Sequence, residues 1–589
     1  ERFEVEFLGV LQRAGSTGDL LLARLSGGPL KETGVLQGMS GSPVWVGDEI
    51  VGAVAATWAF AKEPLALIRP IGEMRQLSTY LDQGKHPTWS PGERLAPAPD
   101  AVSSPAPFDQ ARELRELGLS EKSEAQGTGP AVRDDLWPLG RMEGLSWSES
   151  GLSASVREAL ELRMGTSLSP ALGAGELSEG STGRAGKHES SGAQADSSSH
   201  AVRPGDAVAV LLVSGDAQLA ATGTVTEVDG DDLLAFGHPF LGAGPVSLPM
   251  YGAEVVGVLP SRQISFKLTN PTREIGALLL DRPTGVAGRL GVRADTMPVE
   301  VEVTGESGES RLFHYQVARH PSLGPPLVYW CVQNSLSALS DLSTLNTAQM
   351  KIELDIQGEN PLVSEAAVTG LETGGELAKE LMLPLNLLTF NPGHSVRVEK
   401  AKVSLTLRRG RQSTSLGRVR VRPARPKPGD TLSFEVELLP YRSKAQWEKF
   451  SMPLPEDLPE GKYVLHISDG TTAFATELSR AEERWSYPGL RPIREAFAKR
   501  RPASTLVAVL YGRPSSAVVQ GREWENLPGS VQKLMQESPG SQADEGVKAA
   551  VISSREKETE WVISGDIVFP LIIADPEHTQ EENDSSGNQ

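Results

Sequence analysis

The sequence predicts a mainly β protein that contains several domains. Short alternating runs such as FEVEFLGVL near residue 5 and VEVEVTG near residue 300 have the period of β-strands. The chain contains 60 glycines and 42 prolines, and many of them stand between these runs, where turns are expected. Because 589 residues exceed the size of one hydrophobic core, we expect roughly three to four domains.

Composition excludes several classes of function. The formal net charge of −19 argues against a nucleic-acid-binding protein, which needs a basic face. The chain has one cysteine, Cys331, so an internal disulfide and a cysteine-based zinc site are both excluded. No apolar run approaches the roughly 18 residues of a membrane-spanning helix. No metal ion or other cofactor is implied.

The first half of the chain divides into two β-rich blocks and a linker. Residues 1–82 are predicted to form short strands closed by a helix at IGEMRQLSTYL. Residues 83–203 are rich in Pro and Ser and are predicted to be a largely disordered linker, with possible helices at DQARELREL and ASVREALELR. Strand patterns resume in residues 204–320, which are predicted to form the second β-rich block.

The second half is predicted to continue with a helical connector at residues 321–349. Residues 350–475 contain KAKVSLTLRRG, TLSFEVELLPY and GKYVLHISDG, which resemble strands of an immunoglobulin-like β-sandwich. Residues 476–575 are a mixed region without an assigned role, and residues 576–589 are predicted to be a disordered acidic tail. The chain begins inside a strand pattern without an initiator Met, so we expect the natural N-terminus and any signal peptide to lie upstream.

The stretch GVLQGMSGSPVWVGDEIVGAV contains a candidate nucleophile, Ser40. Glycines precede and follow the pair Met39 and Ser40, and a proline follows at Pro43. Such a turn can direct the backbone N–H groups of Gly38 and Ser40 into one pocket, as an oxyanion hole for acyl transfer requires. Any tight hairpin could use the same residues, so the stretch alone leaves both interpretations open.

A serine nucleophile needs a base within hydrogen-bond reach, and His238 is the best candidate among nine histidines. It stands directly after an apolar strand, between Gly237 and Pro239, in the sequence DDLLAFGHPFLGAGPVSLP. A Gly–His–Pro corner at a strand end would hold the imidazole at the rim of a barrel, where a substrate could reach it. The alternative is a turn histidine that is packed for shape.

The two motifs together resemble those of the SpoIVB peptidase family of bacterial sporulation signalling, which has a trypsin-like fold. TGVLQGMSGSPVWVGDEIVGAV is similar to the family's serine box, FGHPF to its Gly–His box, and TGVAGRLG to a later stretch. The resemblance covers about residues 1–82 and 205–300. It implies a trypsin-like double β-barrel in which Ser40 attacks a peptide carbonyl and His238 is the general base. The N–H groups of Gly38 and Ser40 would then form the oxyanion hole.

The sequence departs from this family in three respects. Ser40 precedes His238 by 238 − 40 = 198 residues, whereas the family has its histidine half first. The order requires a permuted pair of barrels, or else a further barrel upstream with its own histidine. The family's aspartate before the serine has no counterpart in ARLSGGPL, and no PDZ-like module is recognisable.

A third catalytic member is expected to hold the imidazole in the correct tautomer. In trypsin-like barrels this acid comes from the histidine's own half, some forty residues later. Asp281 lies 281 − 238 = 43 residues after His238, at a strand end, and is the candidate. A turn aspartate without a catalytic role is the alternative.

The sequence therefore predicts a serine endopeptidase that acts on protein or peptide substrates. Its catalytic residues would be Ser40, His238 and Asp281, in a permuted trypsin-like double barrel with an appended sandwich. Two alternatives are a non-catalytic scaffold of the cell envelope and a serine esterase that uses the same groups. The β-sandwich modules favour the periplasm, the cell envelope or the exterior as the location.

Overall fold

The computed structural model shows a mainly β protein whose chain divides into two compact units. The first unit contains the described residues up to 299 and residues 313–338, and the second contains residues 300–312 and the described residues from 346 onward. The helix expected at DQARELREL and the acidic tail lie outside the described residues. The structure describes residues 2–12, 18–82, 145–164, 166–170, 201–338, 346–370, 373–391, 396–486, 489–513, 516–519, 521–524, 527–528, 530–531 and 547–573.

The first β-rich block folds into a five-stranded antiparallel sheet with the order β1-β2-β5-β4-β3. Helix α1 (Leu30–Thr33) lies in the connection from β2 to β3, and α2 (Ile71–Asp82) follows β5 where its sequence predicts a helix. The five strands are β1 (Glu4–Leu11), β2 (Leu20–Ser26), β3 (Pro43–Val46), β4 (Glu49–Ala56) and β5 (Leu65–Pro70).

Part of the predicted linker is folded. Residues 146–170 contain β6 (Ser146–Ser150), α3 (Ala154–Met164) and β7 (Leu168–Pro170), of which only the helix follows from the sequence. The run SWSES in β6 is polar, yet it is mostly buried: Ser146 Oγ donates to the Lys267 carbonyl at 2.5 Å, and Glu149 is ion-paired with Arg157. A strand that buries hydroxyl groups in this way lacks the apolar alternation by which strands are recognised.

The second β-rich block forms a closed ring of six antiparallel strands. The pairing runs β8-β11-β12-β13-β10-β9, and β9 pairs again with β8, so the ring leaves no free edge. Strand β6 lies alongside β9. The six strands are β8 (Ala207–Gly215), β9 (Gln218–Asp229), β10 (Asp232–Ala235), β11 (Gly244–Leu259), β12 (Phe266–Arg282) and β13 (Gly285–Leu290).

Helix α2 joins the five-stranded sheet to the ring through one hydrophobic cluster. Met74 and Leu77 of the helix pack with Ala53 of β4 and with Leu234 of β10. Arg75 adds a two-pronged ion pair to Glu227 of β9, with a shortest N–O distance of 2.6 Å. The first unit is completed by α4 (Gly324–Ser337), the helix expected in the connector, and by parts of two strands that the two units share. These strands are β14 (Thr296–Thr304), whose end belongs to the second unit, and β15 (Ser310–Ala318), whose first three residues do.

The second unit contains three strands of a larger sheet and a β-sandwich. The three strands pair in the order β17-β16-β18, and helix α5 (Thr373–Thr389) lies between β17 and β18 in the chain. These strands are β16 (Asn346–Ile356), β17 (Leu362–Gly370) and β18 (Val398–Arg409). They lie mostly within the range predicted for the sandwich, residues 350–475, but they belong to neither of its two sheets.

The sandwich consists of two four-stranded sheets, β21-β20-β19-β27 and β26-β23-β22-β28, which share one core. Phe434 and Phe450 come from one sheet and Leu465 and Leu510 from the other. Its boundaries differ from the prediction because strands from the supposed mixed region complete both sheets. The strands are β19 (Ser413–Arg422), β20 (Thr431–Pro440), β21 (Gln446–Pro453), β22 (Gly461–Asp469), β23 (Thr505–Gly512), β26 (Ala550–Glu558), β27 (Val562–Ser564) and β28 (Asp566–Ile573).

The elements between β22 and β26 are mostly helical. A short hairpin of two strands, β24 and β25, follows the helices. Among the residues that the structure describes, no helix is both long enough and apolar enough to cross a membrane. These elements are α6 (Gly470–Arg480), α7 (Glu482–Ser486), α8 (Leu490–Lys499), β24 (Ala517–Val519) and β25 (Arg522–Trp524).

Gly41 marks the closest approach of the five-stranded sheet to the ring. Its φ is +90°, and a Cβ at this position would lie 2.1 Å from the carbonyl oxygen of Thr224 and 2.4 Å from the amide nitrogen of Phe236. Both obstacles are backbone atoms, so they cannot turn aside as a side chain could. Only glycine fits this contact.

We expect Gly41→Ala to lower the free energy of unfolding by about 3 kcal/mol or more, because overpacking adds to the cost of the left-handed backbone. Gly47→Ala is the matched control, since Gly47 also has a positive φ, +62°, but has open space at the Cβ position. It should cost only about 1 kcal/mol. Denaturant unfolding of both variants measures the difference, and equal losses would contradict the close contact at Gly41.

Candidate functional site

Ser40 and His238 lie in equivalent connections of two similar sheets. If β8 is removed from the ring, the remaining order β9-β10-β13-β12-β11 has the same pattern as β1-β2-β5-β4-β3. Ser40 lies in the connection between the second and third of these five strands, and so does His238 in its own half. Asp281 lies near the end of β12, the fourth of the five ring strands in chain order. The fold therefore contains a structural repeat that the sequence does not reveal.

The Ser40 turn is bonded directly to β9 of the ring. The Thr224 amide donates to the Ser40 carbonyl at 2.8 Å, and the Thr226 hydroxyl donates to the Gly41 carbonyl at 2.8 Å. On the other side, the Gly41 amide donates to the Val54 carbonyl at 2.7 Å. Ser40 itself is buried, with 4% of its surface exposed. These bonds fix the turn between the two halves.

The predicted oxyanion groups lie in a glycine-dependent part of this turn. Gly38 has a φ of +89°, and its amide donates to no acceptor within the described ranges of the chain. The amide of Ser42, in contrast, is used by the turn, because it donates to the Met39 carbonyl at 2.8 Å. The Gly38 carbonyl accepts from the Thr224 hydroxyl at 2.9 Å and from Lys267 Nζ at 2.8 Å. The peptide unit after Gly38 is thus held at its oxygen.

The backbone before His238 is strained, and it is supported by packed aromatic side chains. Phe236, a non-glycine residue, has a φ of +71°, and Gly237 follows with +68°. Such conformations cost of order 1–3 kcal/mol at a residue with a side chain and persist only where the surroundings impose them. Here the Phe236 ring is fully buried and packs against Phe240, which in turn stacks on Trp147.

The imidazole of His238 is held in one tautomer. Its Nδ1 lies 2.7 Å from the Pro239 carbonyl oxygen, which can only accept, so Nδ1 carries the proton and Nε2 has the lone pair. Nε2 is buried and has no hydrogen-bond partner among the described residues, so no hydrogen bond joins it to Ser40. Burial lowers the pKa of His238, and the positive charge of Arg69 adds to this effect. The neutral, basic form is therefore favoured.

Arg69 connects the five-stranded sheet to the histidine corner. It lies on β5, is 4% exposed, and its Nε donates to the Gly237 carbonyl at 3.4 Å. Its other end is ion-paired with Glu73 of α2 at 2.9 Å. A buried guanidinium that is held at both ends fixes the position of the corner relative to β5.

Asp281 supports the loop after His238 and does not bond the imidazole. Its fully buried carboxylate accepts from the amides of Phe240, Leu241 and Ala243 at 2.7, 2.6 and 3.2 Å. Burial raises the pKa of Asp281, and these amides oppose the rise by stabilising the charged form. The expected contact of a triad acid with Nδ1 is absent, because the Pro239 carbonyl occupies that position.

Three residues of the site were missed in the sequence: Arg69, Thr224 and Lys267. Two of them had a signal, since Arg69 interrupts the apolar strand LALIRP and Lys267 interrupts the apolar start of β12 in QISFKL. Thr224 belongs to the alternating threonines of TGTVT, all on one buried face. Within the described part of the chain, no group of three or more His, Cys, Asp or Glu side chains is arranged to hold a metal ion.

Comparison with known proteins adds no relative. No protein-family model, no curated protein and no solved structure matches the chain. The function of the chain must therefore be inferred from the geometry of the site.

Asp281→Asn should loosen the loop after His238. An amide side chain offers one acceptor oxygen in place of two and turns a donor toward backbone donors, so we expect a loss of about 2–4 kcal/mol in the free energy of unfolding. The control is Asp229→Asn, because Asp229 is exposed at the turn between β9 and β10. Denaturant unfolding compares the two, and a loss below about 0.5 kcal/mol for Asp281→Asn would contradict its supporting role.

Proposed function

We propose that the chain is a serine endopeptidase, with Ser40 as nucleophile and His238 as general base. The observation that carries the proposal is the state of His238: a neutral imidazole, fixed by the Pro239 carbonyl, with an unpaired basic Nε2. Leaving a buried acceptor unpaired costs about 1–3 kcal/mol, so such a group is expected mainly where function requires it.

Topology also supports this proposal and the trypsin-like double barrel that belongs to it. The two halves repeat one strand order, and their equivalent connections carry the serine and the histidine. Hydrogen bonds from Thr224 and Thr226 hold the serine turn against the ring, and Arg69 reaches the histidine corner. In this permuted arrangement the two halves follow each other in reversed order along the chain. The connection that carries Ser40 still packs against the connection that carries His238.

The proposed reaction is acyl transfer followed by hydrolysis. Ser40 Oγ forms a bond to the peptide carbonyl carbon while its proton passes to His238 Nε2, and the carbonyl electron pair moves to the oxygen. The N–H groups of Gly38 and Ser40 would receive this oxyanion. As the C–N bond breaks, the imidazolium gives its proton to the leaving amine, and water then releases the acyl group by the same route.

An esterase would use the same groups, and a non-catalytic scaffold would keep the same fold. Turnover of matched peptide and ester substrates separates the two hydrolases. The scaffold alternative draws on one observation, that no hydrogen bond joins His238 Nε2 to Ser40. Catalytic hydrogen bonds are often completed only when substrate binds, so this observation is compatible with both functions.

Ser40→Ala should abolish covalent labelling by a fluorophosphonate probe, because the probe reacts only with an activated nucleophile. Thermal stability should change little, since one hydroxyl is removed without opening a cavity. Ser42→Ala is the matched control and should keep most labelling. Mass spectrometry of the labelled peptide reports the modified residue. Labelling of Ser42, or no labelling of the wild-type protein, would reject the proposed nucleophile.

The labelling rate should rise with pH through a midpoint below 6.5, the ordinary pKa of histidine. The sign follows from the mechanism, because His238 must be neutral to accept the proton and its pKa is lowered by burial. His238→Ala should remove the rise and most of the rate. Rate constants for labelling between about pH 4 and 7.5 measure the midpoint, and a midpoint above 6.5 would contradict a buried base.

A further inference from the structure

Lys267 is fixed beside the Ser40 turn by its own backbone. It is the second residue of β12, and its amide donates to the Gln37 carbonyl at 3.2 Å. The preceding Ser265 carbonyl accepts from the Gln37 amide at 2.8 Å, so β12 begins by pairing with the segment that leads to Gly38. The Lys267 carbonyl is itself bonded by the Ser146 hydroxyl.

Within the part of the chain that the structure describes, the ammonium group of Lys267 contacts only neutral oxygens. Nζ donates to the Gly38 carbonyl at 2.8 Å and to the Thr224 hydroxyl at 3.2 Å, and that hydroxyl donates to the same Gly38 carbonyl. A Cβ on Gly38 would lie 3.2 Å from Lys267 Cδ, so the lysine side chain packs directly on the turn. Cation, hydroxyl and carbonyl thus form a closed triangle at Gly38.

No acidic group in the described part of the chain neutralises this cation. Within the described ranges, Lys267 forms no ion pair, and the glutamates of the neighbouring strands β6 and β9 are paired elsewhere: Glu149 with Arg157 and Glu227 with Arg75. Burial lowers the pKa of Lys267 to about 8. The side chain is therefore mostly protonated at pH 7, and among the described residues it is a partly buried positive charge without a counter-ion.

We propose that Lys267 is a positioning residue of the oxyanion hole, which holds the Gly38 peptide in place and supplies positive charge that stabilises the developing oxyanion. The proposal rests on the proposed function of Ser40. An isolated buried cation is costly, and a nearby carboxylate would relieve that cost. A carboxylate would also cancel the field at the moment when negative charge forms on the substrate. An unpaired cation beside the hole stabilises that charge most strongly.

The test follows fluorophosphonate labelling of Ser40 in the full chain from about pH 6 to 10. In the wild-type protein the rate should fall above about pH 8, as Lys267 loses its proton. Lys267→Arg should keep its rate to higher pH, because arginine stays protonated. Lys267→Met should label at least about tenfold more slowly at pH 7 and show no such fall. Lys31→Met is the control, since Lys31 is exposed in the same β2–β3 connection.

A second readout does not depend on activity. Between about pH 8 and 10.5 the unfolded chain binds more protons than the folded one, so the thermal stability of the wild-type protein should rise relative to Lys267→Met. If this rise is absent, Lys267 is not a buried cation without a counter-ion. If Lys267→Arg and Lys267→Met both fold and show the same fall in rate at alkaline pH as the wild-type protein, the role of Lys267 is wrong, while the proposed role of Ser40 is unaffected. A wild-type protein that never labels would overturn the proposed function, and this inference with it.

Discussion

The candidate site depends on the fit of one turn, residues 38–42, against one strand of the ring. The face of β9 that carries Thr222, Thr224 and Thr226 is buried, and two of these residues donate to carbonyls of the turn. Because alternate residues of a strand share a face, a shift of β9 by one residue would turn every one of these hydroxyls away. At Gly41 the backbone of the ring lies so close that a Cβ would clash with it. This close fit requires the same register on steric grounds.

The histidine corner shows how a buried carboxylate can act without touching the imidazole. Asp281 accepts hydrogen bonds from amides of the loop that follows His238. In the same loop, the Pro239 carbonyl accepts from Nδ1 of the imidazole. In the trypsin-like arrangement the acid orients the imidazole directly. Here a backbone carbonyl has that position, and the acid fixes the backbone. A neutral acceptor stabilises an imidazolium less than a carboxylate does, which makes other charges around the site more important.

The strand patterns and helix α2 could be predicted from sequence because they depend on local periodicity, and the Ser40 and His238 turns because their glycines and prolines mark them. Four features could not be predicted. Strand β6 is recognisable only through the partners of its hydroxyls, and the contact of Asp281 only through the shape of a loop. The sandwich is completed by β27 and β28, which are far from its first strands in the chain. Whether an acidic side chain lies beside Lys267 depends on the tertiary fold, so its lack of an ion pair within the described residues could not be predicted.

The reversed order of serine and histidine is compatible with the proposed function for a topological reason. The sheets repeat one strand order, and each carries its candidate catalytic residue in the connection from its second to its third common strand. The site then requires only that these two connections lie next to each other. Contacts of α2, Arg69 and the β9 threonines hold the two sheets together so that they do. None of these contacts depends on which sheet comes first in the chain. A permuted pair can therefore keep the geometry of a serine peptidase, provided that the contacts at Gly41 and Gly237 are retained.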